Sequence, residues 1–215
     1  PQGPGEHWAF KVPRRTPLPD DAGNPIDALL EGRQATLGLK AQPPAQRTIL
    51  IRRLYLDLIG LPPTTEQLAA FRIRTAKDRP AAIKKEINSL LTSPHYGERW
   101  ARHWLDLARY TDKTASWLNS TAAAWRYRDW VVRAFNEDLP YDQFVLQQIA
   151  GDLLDPPHNP DGIVAVGMLG LGLLYQDDGG TPDGVAIARA ETLDDRVDTV
   201  TRGLLGLTVS CARCH

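Results

Sequence analysis

The chain has 215 residues, 42% of them hydrophobic and 24% charged, and its 25 basic and 26 acidic side chains leave a net charge of −1. That is the composition of a soluble globular domain, and the balanced charge excludes a global field that would draw in nucleic acid or an anionic membrane surface. No apolar run reaches the roughly 18 residues of a spanning helix, and two cysteines are too few for a disulfide scaffold.

Residues 1–24 hold Pro1, Pro4, Pro13, Pro17 and Pro19 and read as an extended arm, which Trp8 and Phe10 are placed to pin. The opening PQGPGEHW carries no secretory leader, so the expectation is a processed chain or a piece of a longer one. Asn24 followed by Pro25 is a helix start, and Ile26, Leu29, Leu30 and Leu37 follow at helical spacing. In RTILIRRLYLDLIGLPP, Ile49, Leu50, Leu54, Leu58 and Ile59 form a second stripe, stopped by Gly60, Pro62 and Pro63. Thr64 or Thr65 begins a short helix, TEQLAAF, and another spans about 80–91. Ser93–Pro94 opens a helix over about 95–110.

The polar stretch 112–121 reads as a loop, and helices follow at about 123–136 and 141–154. After the break DPPHNPDG, the Gly-rich VAVGMLGLGLL fits either a helix or a buried strand, and helix is preferred. QDDGGTPDG is a further loop, and a long helix from about 185 is expected to carry the chain to its end. The pattern is all-α: an extended N-terminal arm, then one irregular multi-helix domain over 25–215.

That last helix ends on SCARCH, Ser210 to His215, where both cysteines of the chain stand. C-x-x-C-H is the attachment signature of c-type haem. On a helical turn Cys211 and Cys214 face the same way and reach two vinyl groups on one porphyrin edge, and His215 then faces the iron as proximal ligand. Val197, Val200, Leu204 and Leu207 recur at intervals that run an apolar seam into Cys211, suited to covering a haem face. Half a zinc knuckle lacks a second cysteine pair. A redox dithiol normally opens a helix after a strand rather than closing one. Both readings stay open behind haem.

A six-coordinate iron needs a distal ligand, and the candidates are His7, His95, His103, His158 and Met168. His103 leads, because Trp100, His103, Trp104 and Leu107 share one helical face; His95 is second, about two turns earlier. A core histidine hydrogen-bonded to a carboxylate or carbonyl is the bland alternative for each, and Met168 reads as packing. Glu191, Asp194, Asp195 and Asp198 form an acidic stripe that Arg99, Arg102 and Arg109 are able to answer, although a solvated charged face is the favoured reading. The acids of QDDGGTPDG miss the positions of a calcium loop, so calcium there is a minor alternative.

RRLYLDLIGLPPT, SPHYGERWARHWLDLARY, YRDWVVRAFNEDLPYDQFVLQQIAGDLL and DRVDTVTRGLLGLTVSCARCH together resemble the planctomycete-type cytochrome-c-like domain, a family long labelled as of unknown function. The resemblance spans nearly the whole chain. It implies export to the periplasm or beyond, where c-type haem is attached, and a place in a longer multidomain protein. Two departures stand out: the QDDGGTPDG loop differs from the family pattern, and relatives continue past the haem motif.

Three functions compete. The favoured one is electron transfer through a six-coordinate haem c to a partner protein or to further domains of the same polypeptide. The second is a haem enzyme with an open iron position, acting on peroxide or oxygen with polysaccharide as a conceivable target. The third is a scaffold in which haem staples the fold or an assembly. An oligomer is compatible with all three.

Overall fold

In a computed structural model the chain is described over residues 8–18, 23–111, 123–154, 159–171 and 180–213. It divides into two compact units, Pro1–Ala45 and Gln46–His215. Among the described residues there is no β-strand, and nine α-helices with 3-10 and π turns between them make the fold all-α, as the apolar periodicity predicts.

The smaller unit holds a 3-10 turn at Trp8–Phe10 and helix α1 (Pro25–Thr36). Its start is the one expected: the Asn24 side chain accepts from the Ile26 amide at 2.9 Å, with Pro25 in the first turn, where its missing N–H costs nothing. Gly38, at φ 65°, closes it, and the Leu39 amide returns to the Gln34 carbonyl at 2.9 Å.

The larger unit begins with α2 (Arg47–Leu58), α3 (Thr65–Lys77) and α4 (Arg79–Leu91) around Ile51, Tyr55, Phe71 and Leu90. Thr64 and Gln67 form a reciprocal capping box, so α3 starts where expected. It runs well past the predicted TEQLAAF, because nothing interrupts the helix before Asp78. That residue ends α3, and its side chain caps α4 through the Ala81 amide at 3.1 Å.

Within this core Glu86 is buried, accepting from the Tyr55 hydroxyl at 2.8 Å and paired with Arg74. Burial first, and then the Glu86 hydrogen bond, pushes the Tyr55 hydroxyl up to about 12. Folding therefore favours the protonated phenol. Its contribution is complete below the ordinary tyrosine value of 10.0 and is lost as pH rises through about 12. Burial displaces Tyr127 in the same direction. The urea midpoint, followed together with tyrosinate absorbance, is expected to fall steeply between about pH 10 and 12. A midpoint that stays flat across that window contradicts this account.

The second core is built by α5 (Pro94–Leu107), α6 (Ala124–Asn136), α7 (Tyr141–Ala150) and α8 (Pro160–Ala165), with a 3-10 segment at Val166–Gly170. Trp130 stacks on Phe144 at 5.3 Å between centroids, and Ala101, Tyr127, Val131 and Met168 fill the space around them. VAVGMLGLGLL is thus helical through Gly170, part α and part 3-10. Helices α5 and α6 meet closely because Gly97 lies on the Val132 carbonyl, and Asn136 bridges them by accepting from the Gly97 amide at 2.8 Å.

The last helix differs most from expectation. Helix α9 spans Pro182–Val200, capped by Thr181 through the Gly184 amide at 3.1 Å. It then widens into a π turn at Thr201–Leu205 and breaks at Gly206, which is left-handed at φ 64°. Ser210–Arg213 form a separate 3-10 turn. The helix therefore does not run unbroken into the cysteine motif. Glycines at 203 and 206 explain why: the second accepts a conformation that ends the helix at little strain.

Candidate functional site

Helix α5 carries both leading histidine candidates, and its core-facing side is made by Gly97 and Ala101 together with Trp104, with Ala108 buried at its C-cap. Small residues sit there because α6 approaches so closely. The Trp104 indole turns inward and donates from Nε1 toward the Tyr127 hydroxyl at 2.9 Å and Gln148 Oε1 at 2.7 Å. Tyr127 also donates to that Gln148 oxygen at 2.6 Å, and Gln148 Nε2 donates to the Phe144 carbonyl at 3.0 Å. This buried triad is satisfied within the core, and burial keeps the Tyr127 hydroxyl neutral by raising its pKa.

His103 does not share that environment. It stands exposed on the flank of α5 with its ring 5.5 Å from that of Trp100, which lies in turn 6.1 Å from Tyr96. The expected grouping of Trp100, His103, Trp104 and Leu107 is thus divided, Trp104 entering the core while the others form an outer aromatic edge. Among the described residues the His103 ring nitrogens have no hydrogen-bond partner. His95, also exposed, lies 2.8 Å through Nδ1 from Glu98 Oε2 in the first turn of α5. No hydrogen bond or ring contact among the described residues joins either histidine to the C-terminal turn. Met168 is buried in the second core and packs there as expected. His7 and His158 lie outside the described residues.

At the C-terminus, Cys211 is a free, exposed thiol on the 3-10 turn, which packs back on α9. Cys214 and His215 lie outside the described residues. The seam expected to lead into Cys211 is largely open: Val197 is 52% and Leu207 39% exposed, and Leu205, beside it, is 64% exposed. Only Val200 packs against the second core. This arrangement offers an exposed thiol and, on the segment leading to it, aliphatic side chains left open among the described residues.

The acidic stripe is not simply a solvated face. Arg109 pairs with both Asp195 and Asp198, the latter at 2.8 Å, and Arg202 reaches the other oxygen of Asp198 at 3.0 Å. Asp198 is only 6% exposed. Of the three arginines considered, Arg109 alone meets the stripe: Arg99 lies over Gly60, and Arg102 lines a groove of about 790 Å³ between α5 and α6. Arg109 adopts φ 57°, a left-handed conformation that costs a side-chain-bearing residue about 1 kcal/mol. The sequence carried no signal for that. Arg202, four residues after Asp198, was a legible partner that the reading of the stripe left out.

Among the described residues no group of three or more His, Cys, Asp or Glu side chains is placed to hold a metal ion. The first four residues of QDDGGTPDG, 176–179, lie outside them, and with them two of its three acids, so the calcium alternative has no geometry to examine. No helix among the described residues is long and apolar enough to cross a membrane.

A family model described as PSCyt2, a protein of unknown function (DUF1549), matches residues 25–215. That span contains all four motifs on which the resemblance rests. No curated protein and no solved structure matches the chain.

Proposed function

The chain belongs to the PSCyt2 family of proteins of unknown function, and on that footing we propose that it carries a c-type haem at Cys211, Cys214 and His215 and serves as an electron-transfer domain. The observation that carries this reading is the free, exposed Cys211 thiol at the head of Cys-x-x-Cys-His, preceded along the chain by the exposed aliphatic side chains of Val197, Leu205 and Leu207. The residues fit the group. An accessible thiol suits addition to a vinyl group, exposed aliphatic side chains suit one face of a porphyrin, and the adjacent imidazole suits the proximal position. Bound there, haem supplies one-electron exchange at its iron.

The chain's own part is to hold the ring by two thioethers, to shield one face with aliphatic groups and so tune its potential, and to present an edge to a partner protein or neighbouring domain. Such attachment places the domain in an exported, periplasmic or extracellular setting. His103 is the stronger distal candidate, since its ring nitrogens have no partner among the described residues while His95 is engaged with Glu98.

Visible spectra of the full chain, with and without carbon monoxide, test this reading. The wild type is expected to be low-spin and indifferent to carbon monoxide, and His103→Ala to turn high-spin and bind it. Ready carbon monoxide binding by the wild type would overturn six-coordinate electron transfer. A His103→Ala spectrum identical to wild type removes His103 from the iron.

A further inference from the structure

We propose that Arg109, Asp198 and Arg202 form a latch that sets the path of the C-terminal π turn, and that they are positioning residues for the motif that begins at Cys211. The consequence for haem rests on the reading above; the latch itself rests on contacts alone.

Arg109 follows the end of α5, where the Tyr110 amide closes the helix on the Leu105 carbonyl at 2.9 Å. Glycine would close that turn with less strain. Among the described residues the other non-glycine at positive φ is Asp138, a type that visits this region readily. Arginine is not such a type, so its presence there points to its side chain. One guanidinium nitrogen lies 2.8 Å from Asp198 Oδ2 and the other is bonded to Asp195. Asp198 Oδ1 accepts from Arg202 at 3.0 Å. A single buried carboxylate is therefore shared between two cations, one at the end of α5 and one inside the π turn.

This placement matters because an α-helix and a π turn differ by one residue in register, which rotates every later side chain by about 100°. Asp198 and Arg202 straddle the junction between the two. Arg109 holds the α9 side of that junction at the end of α5, and Arg202 ties the π side to the same Asp198 carboxylate; together they select the wide turn, in which the Leu207 amide reaches the Thr201 carbonyl at 3.1 Å and Gly206 reverses the chain. Release of Arg109 leaves a buried anion with one cation, and the junction is free to slip.

The experiment uses the full chain with Arg109→Gly, which relieves the positive φ and so spares α5, and Arg109→Lys, which retains charge but spans only one carboxylate. Amide hydrogen exchange is read over residues 196–207 and over α2–α4, and covalent haem occupancy is read by intact mass after co-expression with a haem-attachment system. In Arg109→Gly, exchange over 196–207 is expected to rise about tenfold or more while α2–α4 stay unchanged. Haem occupancy is expected to fall in the same variant, and Arg109→Lys to lie between it and wild type. Unchanged exchange over 196–207 overturns the latch. Raised exchange with wild-type haem occupancy overturns its positioning role. A wild-type chain that takes up no haem overturns the haem reading alone, and the exchange result still decides the latch.

Discussion

Gly162→Ala is expected to destabilise the larger unit by about 3 kcal/mol. A methyl group at this position would meet the Gly151 carbonyl oxygen directly and would come within 2.7 Å of its carbon. The reverse holds as well, since a Cβ on Gly151 would lie 2.5 Å from the Gly162 oxygen. Both obstacles are backbone, so neither can swing aside as a side chain does. Relief requires α8 to move off the 3-10 turn after α7, and that opens the contact between Ala165, Met168 and the rest of the second core. For a unit of this size the thermal midpoint should drop by about 9 °C, measured by circular dichroism or calorimetry. Because the two glycines meet at one contact, Gly151→Ala with Gly162→Ala should cost less than the sum of the single changes. A drop of only a degree or two, or full additivity, refutes the close backbone approach.

The second large effect concerns chemistry rather than stability. Cys211→Ala removes the thiol that the structure leaves exposed on the terminal turn, and Cys214→Ala removes its partner. Each single variant is expected to lose most of its covalent haem, because one remaining thioether fails to hold the ring in register with His215, and the double variant to lose all of it. A pyridine haemochrome spectrum of acid-acetone-washed, denatured chain reads this directly, since only thioether-bound haem survives the wash. The global fold should persist in these variants, as Cys211 makes no core contact and both cores are built from residues before it. Wild-type haem content in the double variant would show that attachment lies elsewhere.

Much of the helical framework was legible in the sequence because its boundaries are written in local chemistry. Asn24–Pro25, Thr64 with Gln67, and Ser93–Pro94 each mark a start through a side chain that satisfies a free amide, and the helices begin there. What depended on distant contacts was less legible. The face of α5 was judged by its large aromatic residues, whereas its packing surface is set by Gly97, which lets the α6 backbone approach, and by the buried Ala101. His103 therefore fell on the outer edge and not in the core.

The end of α9 shows the same limit in another form. Apolar spacing through Val197, Val200, Leu204 and Leu207 fits an unbroken helix, and Gly203 and Gly206 alone hinted at a break. What makes the turn wide rather than simply frayed is an ion-pair group whose members lie some ninety residues apart, between Arg109 and Asp198. Local periodicity carries no trace of such a partner. The acidic stripe was visible, but its burial at Asp198 depends on which arginine arrives, and three on one helix were eligible.

The function proposed for this chain depends on haem held by thioether bonds at its C-terminal motif. Intact-protein mass measured together with visible absorption, on the full protein from its native host, tests it most directly. The expected result is at least one haem added to the polypeptide mass, mapping to the peptide that contains Cys211 and Cys214, and the sharp α band of a reduced low-spin cytochrome. Colourless protein of unmodified mass, with both of those thiols open to alkylation, would contradict it.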